Sequence, residues 1–466
     1  MAHAGFRMAA LAAALALVAA LAGAAATAQR APRILDPSAT SAVVTTVVTT
    51  VVTTLPAPAV ALAPYRGGVA ALGADGSLMH ATRDGDVGRL RRGLVSEVLI
   101  ACEGALLAID GSGRLTEIAT GAVGPPVSLH ATPACLPGGG VLALDPNAER
   151  LLLLDASLRP EARAPLAALP DAEPTFVGPG TVAIPVHPSL DYRHGVLGDE
   201  VEAAAVAVVG LATLETVARW DAPRRLVIEQ RRLAPFPAAG RFGMVATVSG
   251  GGDGGALVVL AAGNDPTGSD AADGDATDGD ASGSDTAELA VVATAAGIGM
   301  ENRWRHVLGA SGRRLYSLAT PHLGGPLERW TLPATAERDA PGDAAGGAPG
   351  RVPAELRREA FSLGVTSHTI GQRELDLGRL VPRHPGDPAE LDLLVMPTRD
   401  LRTVRLIACD AAGCRAAADA GLPGRLAAAP WIERDVEGGV RAWVATDEAS
   451  LSLVTFPRDG ILSEPE

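Results

Sequence analysis

Three stretches of this chain, GGVAALGADGSLMHAT, EGALLAIDGSGRLTEIAT and GGVLALDPNAERLLLLDA, follow one plan: glycine, an apolar run, an Asp-containing turn, a second apolar run. Their aligned glycines, Gly68, Gly104 and Gly140, stand 36 residues apart. A hairpin unit that recurs at a fixed interval cannot bury its apolar face alone and has to pack against its neighbours. More divergent copies follow, in AAAVAVVGLATLETVARW, GMVATVSGGGDGGALVVLA, RLYSLATPHLGGPLERWTL, LDLLVMPTRDLRTVRLIA and RAWVATDEASLSLVTFP. Helical periodicity is nearly absent beyond the N-terminal apolar run, so the fold class is all-β. A unit of roughly 36–60 residues repeated about seven times points to a single β-propeller, within a range of about six to eight blades, closed between its first and last strands. A sandwich needs fewer strands, and the coils of a parallel β-helix are shorter than this unit.

With 47% hydrophobic residues in 466, the chain can build a large core, but aromatics supply only 3%. Small aliphatic side chains must therefore do most of the packing. No lysine occurs, so all 39 basic side chains are arginine. That excludes a phosphate loop with its Lys, a pyridoxal Schiff base and any Lys nucleophile. A formal charge of −14 argues against nucleic acid as a partner. Seven of the acids are Asp residues crowded into 264–285, so the remaining surface is only mildly acidic.

Arg7, the apolar run MAALAAALALVAALAGAAA and the small residues of ATA at 26–28 have the form of an export signal over 1–28, cleaved after Ala28. No Cys follows the run for lipid anchoring, and no other stretch is long and apolar enough to span a bilayer. The expected location is therefore periplasmic, cell-surface or extracellular, with no stable membrane span after cleavage. Residues 29–61 read as a low-complexity Val/Thr/Pro linker whose core, VVTTVVTTVVTT at 43–54, is a stalk or an added edge strand. The propeller is expected over 62–460, with disordered insertions at 264–286 and 334–351 and a tail at 461–466. It is expected to be a monomer. Four cysteines after an export signal suggest disulfides. Cys409 and Cys414, in LIACDAAGCR, suit a local bridge, and Cys102 and Cys135 precede consecutive repeat units, where a second bridge can form.

Beyond residue 190 four words stand out in order: HGVLGDEVEA (194–203), ENRWRH (301–306), TPHLGG (320–325) and TSHTIGQRELD (366–376). With these words the chain resembles a bacterial family of exported FG-GAP/VCBS-type propellers, whose fold is like the head of integrin α chains. The resemblance covers roughly the span 187–410 and implies no particular reaction. It also implies Asp-x-Asp-x-Asp-Gly loops that wrap Ca²⁺ in carboxylate oxygens. The corresponding stretches here read LAPFPAAGRFGMVAT and LVPRHPGDPAELDLLV. The first lacks any acid and the second keeps Asp387 and Glu390 near its turn. The family's calcium sites are expected to be lost, and no cofactor is expected. The acidic stretch DGDATDGD does not supply a replacement, because an EF-hand count from Asp273 puts Asp278 where Gly is needed and Ser284 where Glu is needed.

The sequence contains no Gly-x-Ser-x-Gly, His-Glu-x-x-His or Cys-x-x-Cys motif. No nucleophile stands beside an evident base, so a binding role is favoured over catalysis. The candidate ligand surface consists of His194, Arg303, Trp304, Arg305, His306, His322, His368 and Arg373, which cluster at strand ends. Chain reversal needs only Gly, Asp or Asn. Imidazole, guanidinium and indole together suit an anionic ligand, an acidic glycan or a protein partner. Imidazoles from separate blades could instead hold a transition metal, and a hydrolase or lyase working through a His/Arg mouth is the catalytic alternative. The same side chains also serve, in repeat folds, as hydrogen-bond donors to neighbouring blades. The expected function is thus that of an exported binding or scaffold propeller.

Overall fold

In a computed structural model of the protein, residues 47–458 and Ile461 are described, apart from 130, 170–171, 179, 187–204, 223–225, 229–232, 237–242, 251–255, 263–286, 297–305, 319–324, 334–352, 367–376, 385–386 and 389–390. The export signal and the two insertions lie outside the described residues. Strand β1 (Val48–Thr54) comes first in the chain. Blade 1 then consists of β2 (Ala59–Tyr65), β3 (Gly68–Gly73), β4 (Leu78–Thr82) and β5 (Val87–Arg91). Blade 2 is β6 (Ser96–Cys102), β7 (Ala105–Asp110), β8 (Arg114–Glu117) and β9 (Val123–Pro126). Blade 3 is β10 (Ala134–Cys135), β11 (Val141–Leu144), β12 (Arg150–Leu154) and β13 (Pro160–Pro165). Blade 4 is β14 (Thr175–Gly178), β15 (Thr181–Val186), β16 (Ala205–Gly210) and β17 (Thr216–Asp221).

In blade 5, β18 (Leu226–Ile228) and β19 (Ala234–Pro235) share the first position against β20 (Gly243–Gly250), followed by β21 (Ala256–Ala262) and β22 (Ala287–Ala296). Blade 6 contains β23 (His306–Ser311), β24 (Arg314–Leu318), β25 (Leu327–Thr331) and β27 (Arg357–Phe361), while the short β26 (Ala354–Glu355) pairs with β22. Blade 7 is β28 (Arg379–Leu380), β29 (Asp392–Pro397), β30 (Thr403–Cys409) and β31 (Cys414–Gly421). Blade 8 is β32 (Trp431–Arg434), β33 (Val440–Ala445) and β34 (Ser450–Phe456), completed by β1. The chain is an eight-bladed β-propeller, one blade more than the seven that the repeat spacing suggested and within the expected range.

The first strands line the centre: β2 lies beside β6, β6 beside β10, β14 beside β19, β19 beside β23, β23 beside β28, and β32 beside β2. Eight apolar clusters fill the seams, one between each pair of neighbouring blades. Successive residues of one strand face opposite seams. Val141 joins the cluster shared with blade 2, for example, while Leu142 joins that shared with blade 4. Burial on both faces explains why inner strands such as AVAVV and RLLLL read as unbroken apolar runs rather than alternating ones.

The repeated glycines have a steric cause. A Cβ on Gly68 would stand 2.0 Å from the Ala81 carbonyl oxygen of the neighbouring strand. Gly104 turns the chain between β6 and β7 with a φ of 83°, which side chains rarely adopt. The repeated aspartates cap their own turns. Asp110 accepts the backbone N–H groups of Ser112 and Arg114 at 2.8 and 3.0 Å, and Asp145 accepts those of Glu149 and Arg150.

The Val/Thr segment is not a stalk. β1 runs antiparallel to β34, from Val48 opposite Thr455 to Thr54 opposite Ser450, with a register shift between Val51 and Thr53. Leu55 then enters the seam between blades 8 and 1, and its N–H donates to the Ala449 carbonyl at 2.6 Å. The propeller therefore begins at Val48 rather than 62, and 29–61 is not one linker, because β-branched residues suit the open edge of β34. Both disulfides are formed. Cys102–Cys135 staples blade 2 to blade 3, and Cys409–Cys414 closes the β30–β31 hairpin.

Two outcomes are expected from this architecture. Truncation to Leu55 should lower the melting temperature by several degrees and broaden the transition, as followed by circular dichroism; an unchanged melt would show that the ring holds without β1. Replacing Cys102 and Cys135 together by Ala should cost about 2–4 kcal/mol in urea unfolding, whereas an unaltered midpoint would mean that the seam needs no staple.

Candidate functional site

Alternating strand direction divides the connections of the propeller into two sets. Those joining the second strand of a blade to the third, and those linking one blade to the next, start and end on one face, here the upper face. Turns between the first and second strands, and between the third and fourth, belong to the lower face.

His194, Arg303, Trp304, Arg305, His322, His368 and Arg373 lie outside the described residues, as does the side chain of His306. The described strand ends that flank them are informative. Residues 187–204 connect Val186 of β15 to Ala205 of β16, the second-to-third connection of blade 4. Residues 319–326 make the same connection in blade 6, from Leu318 to Leu327. Residues 297–305 link blade 5 to blade 6, and 362–378 link blade 6 to blade 7. The described strand ends that bound these four words therefore lie toward the upper face. The backbone of His306 opens the innermost strand of blade 6 opposite Leu318, and Leu318 in turn pairs with Leu327, which pairs with Phe361. The ends of four strands therefore meet at one edge of this blade. Thr366, the first residue of TSHTIGQRELD, is buried and donates its N–H to the Pro397 carbonyl at 2.9 Å. In sequence, the acidic insertion (264–285) stands between the third and fourth strands of blade 5 and the Ala/Gly/Pro-rich one (334–350) between those of blade 6.

Among the described residues, a cavity of about 360 Å³ opens on the lower face where blades 8, 1 and 2 meet. Tyr65, Arg66, Glu103, Trp431 and Glu433 line it, with the tips of the β2–β3 and β6–β7 turns. Each charge there has a resident partner. The Arg66 guanidinium stands 4.9 Å over the Tyr65 ring. Glu433 receives a two-point contact from Arg83 at 2.9 and 2.7 Å, which ties blade 1 to blade 8. Glu103 accepts the Gly138 N–H at 2.8 Å, across to blade 3.

Blades 6 and 7 are joined by buried charge. Asp392, 2% exposed, accepts the Tyr316 hydroxyl at 2.7 Å and the Arg314 guanidinium at 3.3 Å from blade 6, and Arg383 of its own blade at 2.7 Å. Burial first, and then the adjacent Asp392 charge, push the Tyr316 hydroxyl far above the ordinary tyrosine range, so it stays a neutral donor. Glu328, fully buried, is held by Ser317 at 3.0 Å and by Arg358, while the Trp330 indole N–H donates to the same Ser317 hydroxyl at 2.9 Å. Arg329 reaches the Asp410 carbonyl, and Arg405 reaches the Leu363 carbonyl, each crossing the same seam. Asp387 is bound by Arg434 of blade 8 and accepts the His384 N–H at 2.9 Å. These carboxylates are structural acceptor hubs. No nucleophile stands beside a base among them, and no group of three metal-ligating side chains occurs among the described residues.

No family model and no curated protein sequence matches the chain. Solved structures similar in fold include the computationally designed Ika8 protein, 12% identical, with 86% of this chain and 98% of that one covered at a TM-score of 0.44. The C-terminal WD40 domain of Sif2 is 10% identical, with 88% and 99% covered and a TM-score of 0.44. BBS1N, solved in complex with ARL6DN, is 9% identical, with 80% and 95% covered and a TM-score of 0.39. It is this chain's own strand order and ring closure that define its class, an eight-bladed β-propeller.

Asp392 is the carboxylate that the sequence analysis passed over. Asp392→Ala should destabilise the protein by about 3–5 kcal/mol, because two arginines lose a buried counter-charge. Tyr316→Phe should cost about 1–2 kcal/mol. Equal and small effects in urea unfolding would show that the cluster is not what holds blades 6 and 7 together.

Proposed function

We propose that the protein is an exported propeller of the FG-GAP/VCBS type that works as a binding or scaffold module, with its ligand surface on the upper face of blades 4 to 7. One comparison carries this function. The second-to-third connections of blades 1, 2 and 3 are the short runs 74–77, 111–113 and 145–149, which reverse the chain with a capping Asp or a glycine. At the equivalent positions blades 4 and 6 have 187–204 and 319–326, containing His194 and His322. The neighbouring links contribute Arg303, Trp304, Arg305, His306, His368 and Arg373. Chain reversal accounts for the first set and not for the second.

Three guanidinium groups and four imidazoles favour a carboxylate-bearing ligand, an acidic glycan or an acidic protein surface, with the Trp304 indole as a flat wall for a sugar ring. Propeller ligands commonly bind at the mouth where connections from several blades meet. Two disulfides suit an oxidising compartment and support export.

Calorimetric titration with oligogalacturonate and with its neutral methyl ester tests the ligand class. Binding of the acidic form alone is expected, weakened at least tenfold in an Arg303→Ala/Arg305→Ala/Arg373→Ala variant whose melt matches the parent. Equal affinity for both forms, or no loss in the variant, would overturn the assignment of this face.

A further inference from the structure

An outermost propeller strand offers one row of backbone N–H and C=O groups to solvent, and proteins blunt such edges with charge, proline, bulges or cover. Most outer strands of this molecule do so. β5 carries Arg89 and Arg91, β9 ends in two prolines, and β13 has a proline at each end. β17 and β22 pair with each other in parallel, so blades 4 and 5 shield one another's edges. β27 opens on two arginines, and β31 carries Arg415 and Asp419.

β1 is different. Its sequence, VTTVVTT, has no charge and no proline, and its residues are all β-branched. Val48 is 51% exposed and Val51 54% exposed. Among the described strands β1 pairs with β34 alone; it also lies beside β31 of blade 7, and its ladder carries a register shift beside Val52. A strand made only of Val and Thr is also self-complementary. In any antiparallel register a Val or Thr meets a Val or Thr, pairs that stabilise sheets, and no like charges oppose one another. A surface that complements itself is what a two-fold interface requires.

We propose that β1 pairs edge to edge, antiparallel, with β1 of a second copy of this chain, joining blade 8 of two propellers into one continuous sheet. This dimer is the alternative to the monomer expected from the sequence. It is independent of the upper-face ligand surface, because β1 lies at the outer rim of the ring.

Sedimentation velocity of the full chain from about 1 to 100 µM tests it, together with hydrogen exchange at 48–54. A dimer is expected, with exchange at these amides slowing as concentration rises. Val51→Lys should weaken association at least tenfold while leaving circular dichroism and melting unchanged, and mixing it with Val51→Glu should restore the dimer. Thr50→Lys, at an exposed position of the same strand, serves the same purpose if Val51→Lys melts early. A parent that stays monomeric throughout, or a dimer that both lysine variants keep, would overturn the proposal.

Discussion

Everything in this propeller depends on the pairing of β1 with β34. Each seam between blades is apolar on both sides, so a ring open at one seam would leave two such faces in water. Chain ends that lie more than 390 residues apart are brought together in blade 8 by a backbone ladder from Val48–Thr455 to Thr54–Ser450. Leu55 then carries the chain into the seam with blade 1, where Trp443 and Leu451 complete the packing. The ladder is non-local, and it is the last contact that a chain folding blade by blade can make.

Arginine takes over much of the tying that aromatics would otherwise do. With few large rings available, seams filled by Ala, Val and Leu are thin, and their margins are tied by directional contacts. Arg83 with Glu433 joins blades 1 and 8, Arg434 with Asp387 joins 7 and 8, and Tyr316 and Arg314 with Asp392 join 6 and 7. Between blades 2 and 3 a disulfide does the same work. The planar guanidinium suits this task, since it meets a carboxylate at two points and still reaches a carbonyl on the next blade. Several of these carboxylates are buried, which makes the loss of one partner far costlier than the pair is favourable.

The connections of the ring differ in length from blade to blade. The short Asp-capped turns of blades 1 to 3 have no more to do than reverse the chain. The second-to-third connections of blades 1 to 3 span three to five residues, whereas those of blades 4 and 6 run over 187–204 and 319–326, and the proposed ligand surface rests on that difference.

Much of the fold was legible in the sequence because its cause is local. The 36-residue spacing of Gly68, Gly104 and Gly140 follows from close backbone contacts at Gly68 and Gly140 and a left-handed turn conformation at Gly104, and the Asp turns follow from capping within a few residues. The cysteine pairing and the all-β class were readable for similar reasons. The hairpin of the eighth blade, RAWVATDEASLSLVTFP, was legible too, but the partner of β1 was not, because VVTTVVTT carries no sign of the distant strand it will meet. Nor could Asp392 be singled out. In LDLLV it is one acid in an apolar run, and only the approach of Arg314 and Tyr316 from another blade makes it a buried hub. Local sterics and capping therefore determined the unit from sequence alone, whereas the exact blade count, the partner of the closing strand and the partners of each buried charge were decided by tertiary packing, where residues far apart in the chain meet.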